Sequence, residues 1–208
     1  MATLIELHEQ TDQWDKRTHW QKKLVQVEQT AMTSTPRAKF LAAGIVLEFA
    51  ESANAQFQKQ KLGQPLAKTL RAKRASLEET VALYQQVSDY QVQEFATRAA
   101  YSTAQLYLEL ATELLNLPTP AGLNELEKEQ YLVLLEEQAI PFEDLAISLH
   151  EANASRARQQ IWDQWIAKSF EALSELLPAR YRPAETAGTA EEKRLFWLQL
   201  LEQEVTQR

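Results

Sequence analysis

Carboxylates and histidines are the residues of this sequence that could do chemistry, because together they could bind two metal ions inside a helical bundle. The chain has 29 acidic residues and 3 histidines. A di-metal bundle needs a glutamate three residues before a histidine, since residues three apart share a helix face. The positions three before the histidines are instead apolar or basic, namely Ile5 before His8, Lys16 before His19 and Ile147 before His150. The sequence therefore predicts solvated acidic helix faces and no metal site.

Other catalytic signatures are also missing from the sequence. There is no cysteine, so disulfides, thiolate metal sites and cysteine nucleophiles are excluded. The four glycines are isolated, so no glycine-rich phosphate loop can form, and there is no Gly-x-Ser-x-Gly motif. We predict a chain that is not an enzyme and holds no cofactor. A carboxylate-based helical-bundle metalloenzyme is kept as an alternative, because residues distant in sequence can converge in the fold.

Charged residues are unevenly distributed along the chain. Between residues 59 and 74 there are six cations and no acid, a segment that we call the basic run. Its members are Lys59, Lys61, Lys68, Arg71, Lys73 and Arg74. A second segment, from Glu125 to Glu151, has eight acids and one base, Lys128.

Two interpretations of these charges are open. The two segments could be solvated faces that attract each other within the fold. Alternatively, the basic run is a docking surface for a charged protein partner, with Lys68 and Arg71 in solvent while Leu70 faces the core. Nucleic acid is not an expected partner, because the net charge is -7 and the basic run lacks interleaved aromatic residues.

The elements that must position these charges are predicted to be helices. Ala, Leu, Glu and Gln dominate the composition, and no alternating β-branched run suggests a strand. Prolines divide the chain into helix-length blocks, which is typical of proline at first helical positions. We predict an all-α fold of about seven helices in antiparallel hairpins. The blocks lie near residues 3–32, 36–59, 65–87, 91–116, 124–152, 161–177 and 190–205, with the helix over 91–116 at the centre.

The sequence also predicts how the chain is divided. The apolar pattern from Asn124 to Ala152 keeps helical phase through Pro141, which indicates one long helix kinked at the proline. Residues 178–189 are rich in Pro, Ala, Thr and Gly and read as a loop. We therefore expect a helical array domain over 1–177, a loop over 178–189 and a C-terminal helix over 190–208 that packs on the same domain.

A spacing typical of tetratricopeptide repeats occurs twice. In each case an apolar or small residue is followed four positions on by an aromatic residue and eight further on by proline. The two sets are Ala53, Phe57, Pro65 and Ile166, Phe170, Pro178. They predict a degenerate tetratricopeptide-like array, whose usual role is to bind other proteins.

Membrane insertion is not expected from the sequence. No apolar run reaches the roughly 20 residues that a membrane-spanning helix needs. The residues after Met1 are polar and amphipathic and contain no apolar signal core. The sequence does not indicate the oligomeric state.

Several segments between residues 61 and 182 carry a resemblance to a known family. They are KLGQPLAKTLRAKRASLEETVALYQQVSDYQVQEFATRAAYSTAQLYLELATELL, LEEQAIPFEDLAISLHEAN and WIAKSFEALSELLPARYRP. Their typical elements are the Asp89-Tyr90 turn, the EEQA-x-PFE segment from Glu136 to Glu143, and LLPARY from Leu176 to Tyr181. They resemble the helical carboxy-terminal region of large bacterial envelope proteins with tetratricopeptide repeats. That family is described as a candidate part of TonB-type energy-transduction systems.

The resemblance implies a periplasmic protein-binding scaffold rather than a catalyst. It covers somewhat over half of the chain, whereas residues 1–35 and 184–208 match the family only in character. Because the chain shows neither an export signal nor a long repeat array, we expect it to be one domain of a longer protein. The different function considered beside this one is a purely structural spacer that fixes the distance between other domains.

Overall fold

The computed structural model describes residues 1–182 and 188–206. Every regular element in these ranges is a helix, which confirms the predicted all-α fold. The elements are α1 (Ala2–Gln10), α2 (Trp14–Thr30), α3 (Pro36–Lys59), α4 (Leu66–Asp89), α5 (Gln93–Leu115), α6 (Glu125–Ser155), a 3₁₀ turn (Arg156–Gln159), α7 (Gln164–Leu176), α8 (Pro178–Tyr181) and α9 (Ala190–Thr206).

The described residues form nine helices rather than about seven, because the first predicted block is split into two helices and the predicted loop contains a short helix. The block predicted over 3–32 is broken because Asp12 adopts a left-handed backbone with φ of 53°. The Gln13 N–H then bonds the His8 carbonyl at 2.8 Å, which closes α1 before α2 begins. The second addition is α8, which lies within the predicted loop over 178–189. Residues 183–187 of that loop lie outside the described residues.

The chain forms two compact units, and each is described by itself. Unit 1 consists of Met1–Lys61 and Arg71–Ala99, and unit 2 consists of Leu62–Leu70 and Ala100–Arg208. The divisions fall within α4 and α5, so α5 contributes buried residues to each unit. The prediction of one array domain over 1–177 stays a prediction.

Unit 1 is built around α3, which is buried on more than one side, as its sequence pattern predicts. Its buried residues are Ala42, Ala43, Ile45, Val46, Leu47, Ala50 and Phe57. α2 and α3 are antiparallel neighbours, because Arg17 near the start of α2 bonds Glu48 in the middle of α3 at 2.9 Å, while Ser34 before α3 bonds Glu28 near the end of α2. On α3, Phe40 packs against Phe95 of α5 with ring centroids 4.9 Å apart.

Unit 2 has an aromatic core that joins α7, α8 and α9. The rings of Phe170 and Trp197 are stacked, with centroids 4.9 Å apart and planes 8° from parallel. The Trp197 indole N–H donates to the Tyr181 carbonyl at 3.2 Å, so α9 is fixed by both packing and hydrogen bonding. Tyr181 in turn donates through its hydroxyl to Glu151 at 3.0 Å, and Arg180 bonds the same carboxylate oxygen at 2.7 Å. The LLPARY segment thus has a structural role here.

The long helix predicted through Pro141 is present as α6. Its start is fixed by a capping box in which the Glu127 N–H donates to the Asn124 side chain at 3.0 Å and the Asn124 N–H donates to the Glu127 carboxylate at 2.8 Å. Proline inside a helix leaves one carbonyl, here that of Glu137, without its donor. Because Pro141 and Glu137 are both exposed, water can bond that carbonyl and the helix continues to Ser155.

Substitution at Leu110 tests whether α5 is a core helix. Leu110 is fully buried, whereas Thr112, two residues on, is exposed. We expect Leu110→Ala to lower the free energy of unfolding by about 2–5 kcal/mol, because it removes buried methyl groups and leaves a cavity. Thr112→Ala should stay within about 0.5 kcal/mol of the wild type. Urea denaturation followed by far-ultraviolet circular dichroism measures both, and equal effects would contradict the placement of α5.

Candidate docking face on helix α6

The structure places the basic run in different environments. Lys59, Lys61 and Arg71 are exposed in unit 1, where Arg74 is half-buried. Lys68 is exposed in unit 2. Lys68 and Arg71 both lie on α4 and face solvent, as predicted, while Leu70 is half-buried. The run as a whole is therefore not a uniform cationic surface.

Lys73 was predicted to be part of the docking surface, and this prediction is wrong. Only 1% of Lys73 is exposed. Its ammonium donates to the Gln60 carbonyl at 2.8 Å and lies 4.5 Å from the centre of the Phe57 ring. These contacts hold the start of α4 against the end of α3 within unit 1. A buried ammonium that is bonded to a carbonyl cannot attract a partner.

The more distinctive surface lies on α6 and is apolar. Leu126, Val133 and Ile140 are spaced by seven residues, close to two helical turns, and so lie on one side of the helix. Their exposed fractions are 63%, 52% and 49%. We call these three residues the apolar stripe. Leu132, Leu134 and Leu145 are also exposed, and because Leu132 and Leu134 lie on opposite sides of Val133 they widen the apolar surface in both directions.

Acids border the apolar stripe on both sides, which we call the acidic flanks. Residues three and four positions after a given residue lie to either side of it on the helix surface. Three positions after the stripe residues come Glu129, Glu136 and Glu143, and four positions after them come Gln130, Glu137 and Asp144. Five of these six residues are exposed, and Glu143 is half-buried.

The structure gives the flanking acids at the middle of α6 no stabilising partner. Glu136, Glu137 and Asp144 lie more than two turns beyond the helix start, where the positive end of the helix dipole no longer acts. Among the described residues, no ion pair involves any of these three. The one lysine of the acidic segment, Lys128, pairs with Glu125 at 2.7 Å. The acidic flanks are therefore an uncompensated anionic surface.

The opposite side of α6 is packed into unit 2. Its buried residues are Leu135, Ala139, Ala146, His150, Asn153 and Ala154. This side fixes the rotation of the helix, and that rotation leaves the apolar stripe in solvent. The sequence contains the signal for the stripe, a leucine, a valine and an isoleucine at seven-residue spacing, but sequence reasoning missed it. The apolar pattern up to Ala152 that predicts the helix includes Leu135 and Ala139 of the buried side, but it also includes Leu145 and Ala152, which are exposed.

A buried polar cluster lies on the packed side of α6. His150 is 0% exposed, and its Nε2 lies 3.2 Å from the Gln105 amide nitrogen. Because an amide nitrogen only donates, His150 accepts at Nε2 and carries its proton on Nδ1, which faces the Ser169 hydroxyl at 3.3 Å. Asn153 donates to the same hydroxyl at 2.9 Å. Burial lowers the pKa of His150 from 6.5 to about 4, so the ring is neutral at neutral pH.

This cluster has the residue types of a hydrolase site but not the access that one needs. A serine nucleophile must be reachable by its substrate. Ser169, His150 and Asn153 are all fully buried, so the cluster ties α6 to α7 rather than facing a cleft. Tyr101 packs beside the cluster, and the centroid of its ring lies 5.6 Å from that of His150 and 5.5 Å from that of Trp165. The arrangement favours a structural role.

Within residues 1–182 and 188–206, no group of three or more histidines and acids is arranged to hold a metal ion. In the same ranges, no helix combines the length and the apolar character that crossing a membrane requires.

Charge reversal in the basic run tests the assignment of Lys73. We expect Lys73→Glu to lower the free energy of unfolding by about 3 kcal/mol or more, because a carboxylate would be buried against a carbonyl. Lys68→Glu makes the same charge change at an exposed site and should stay within about 0.5 kcal/mol of the wild type. Urea denaturation of both variants is the measurement. If Lys73→Glu left the free energy of unfolding unchanged, the burial of Lys73 would be contradicted.

The pH dependence of stability tests the buried histidine. The unfolded chain takes up a proton near pH 6.5, whereas folded His150 does so only near pH 4, so stability falls as the pH drops through 6.5. Between pH 7.5 and 5 this contributes a loss of about 2 kcal/mol. We expect His150→Gln to lose less stability than the wild type over this range. The control Ser148→Gln introduces the same side chain at an exposed position of α6 and should keep the wild-type dependence. Identical curves for His150→Gln and wild type would contradict the buried neutral ring.

Comparison with known proteins does not assign the chain to a family. No family model matches the sequence, and no curated protein or solved structure matches it either.

Proposed function

We propose that this chain is a non-catalytic scaffold domain that binds another protein through α6. The observation that carries the proposal is the apolar stripe, whose three branched side chains are about half exposed along one side of α6. Single exposed apolar residues are ordinary, but a regular apolar stripe on one helix is typical of a binding surface. Helices that pack along one another carry two apolar positions in each seven-residue repeat, and the stripe supplies one of these two positions.

The acidic flanks support the same function. Charges around an apolar centre give a protein interface its rim, and they guide the approach of the partner. The buried Ser169 and His150 give no support to catalysis, since no substrate reaches them in this fold. A helical scaffold needs only a stable core and an exposed binding surface. The aromatic core of unit 2 is such a core and lies beneath α6.

The cellular setting of the proposal comes from sequence resemblance. The segments between residues 61 and 182 resemble the carboxy-terminal region of bacterial envelope proteins with tetratricopeptide repeats. We therefore place the chain, as part of this proposal, in the periplasm as a tetratricopeptide-like domain of a longer protein linked to a TonB-type system. A structural spacer is the competing function.

Capture experiments with stripe variants test the proposal. The tagged chain is incubated with an envelope extract of its source organism, and the bound proteins are identified by mass spectrometry. We expect Val133→Asp/Ile140→Asp to lose the bound partner, because the new charges remove the apolar contact. The control is Val27→Asp/Leu195→Asp, which makes the same change at two residues of similar exposure on α2 and α9. This control should retain the partner.

Three outcomes separate the interpretations. Loss of the partner in the stripe variant alone supports binding through α6. Retention by both variants would place the interface elsewhere and contradict the assigned surface. If the wild type captures nothing from either envelope or cytoplasmic extract, the spacer function is favoured and the proposal fails.

A further inference from the structure

We propose that the partner element received by α6 is a cationic amphipathic helix of another protein. The inference rests on the proposed function and specifies the chemistry of what binds. It follows from the combination of an apolar stripe with acidic flanks on both sides, since each feature by itself would fit several occupants.

The geometry of α6 defines the length and spacing of the partner helix. Leu126 and Ile140 are fourteen residues apart, which corresponds to about 21 Å along a helix. A partner helix of about four turns would cover this distance. It would bury apolar residues at seven-residue spacing against the stripe and present Lys or Arg at the positions beside them. Those cations would lie opposite Glu129, Glu136 and Glu143 on one side and Glu137 and Asp144 on the other.

A second copy of this chain fits the surface less well. Pairing α6 with α6 of another molecule would oppose acidic flanks with acidic flanks, and like charges across an interface are unfavourable. Two helices of the chain expose cations, since α4 has Lys68 and Arg71 and α2 has Lys16, Lys22 and Lys23. Among the described residues, α4 has no large apolar side chain that is strongly exposed, so it offers nothing to cover the stripe. α2 exposes Trp14 and Val27, but these two residues are thirteen positions apart and lie on different sides of the helix, so neither α4 nor α2 of a second copy presents an apolar stripe beside its cations.

A lipid surface is also unfavourable. Membrane-surface helices carry Lys and Arg on their polar face, because phospholipid headgroups are largely anionic. On α6 the residues that border the apolar stripe are anionic instead, so the same potential would repel the helix. A cationic protein segment would instead match the charge of the acidic flanks.

Peptide binding tests the inference directly. Three fluorescent helical peptides of about six turns are used. The first has leucine every seven residues with lysine three and four positions after each leucine. The second has glutamate in place of every lysine, and the third has the composition of the first in scrambled order. We expect only the first to bind the chain in fluorescence anisotropy, with affinity that falls as salt is added.

Charge variants of the chain complete the test. Glu136→Gln/Glu137→Gln should weaken binding of the lysine peptide about 2- to 30-fold at low salt, because each exposed pair contributes a few tenths to about one kcal/mol. The difference in affinity between the wild type and this variant should shrink at high salt, because salt screens the attraction between the glutamates and the lysines of the peptide. The matched control is Glu171→Gln/Glu175→Gln, which removes two exposed charges from α7 and should leave affinity unchanged. Val133→Asp/Ile140→Asp should abolish binding.

The outcomes distinguish this inference from the proposed function. If no peptide binds while capture from extract still depends on the stripe, the cationic partner is wrong and the scaffold function stands. Equal binding of the lysine and glutamate peptides would show that charge does not select the partner. Stripe-dependent dimerisation in analytical ultracentrifugation, or binding to vesicles of phosphatidylglycerol, would overturn the inference in favour of a second copy or a lipid surface.

Discussion

The burial of α6 on one side only is the constraint on which the proposed site depends. A helix has a fixed angular period, so the phase that places Leu135 and Ala139 in the core also places Val133 and Ile140 in solvent. The capping box at Asn124 sets where the helix begins, and the contacts of its C-terminal half set its rotation. A helix with apolar residues on both sides cannot bury all of them against a single layer. The outward apolar residues therefore stay in solvent.

The polar contacts around α6 make its rotation specific. Apolar packing alone tolerates small rotations, because dispersion forces have little directional preference. The hydrogen bonds among His150, Ser169 and Asn153 are directional, and a shift would leave buried polar atoms without partners, at a cost of about 1–3 kcal/mol each. Glu151 adds a second fixed point, since Tyr181 and Arg180 both bond its carboxylate. The position of the exposed face thus follows from the buried polar network.

The exposed face of α6 is costly if its only role is structural. Exposed leucine, valine and isoleucine favour non-specific association, and the uncompensated acids beside them repel one another. A cationic helix would relieve both features at once, by covering the stripe and neutralising the flanks. Electrostatic attraction would mainly accelerate association, while the apolar contact would govern how long the complex lasts. Such an interface suits a scaffold that engages its partner reversibly.

The sequence by itself determined the fold class and most helix positions, since proline spacing and helix-forming composition act locally along the chain. It determined that α6 runs through Pro141, because apolar residues keep helical phase on either side. It did not reveal the burial of Lys73, whose sequence neighbours are those of a solvated face, nor the left-handed Asp12 that splits the first block. The tertiary structure decided which of the two apolar sides of α6 is covered. Periodicity shows that two sides exist, but only contacts with residues distant in sequence, such as Gln105 and Ser169, select the one that is buried.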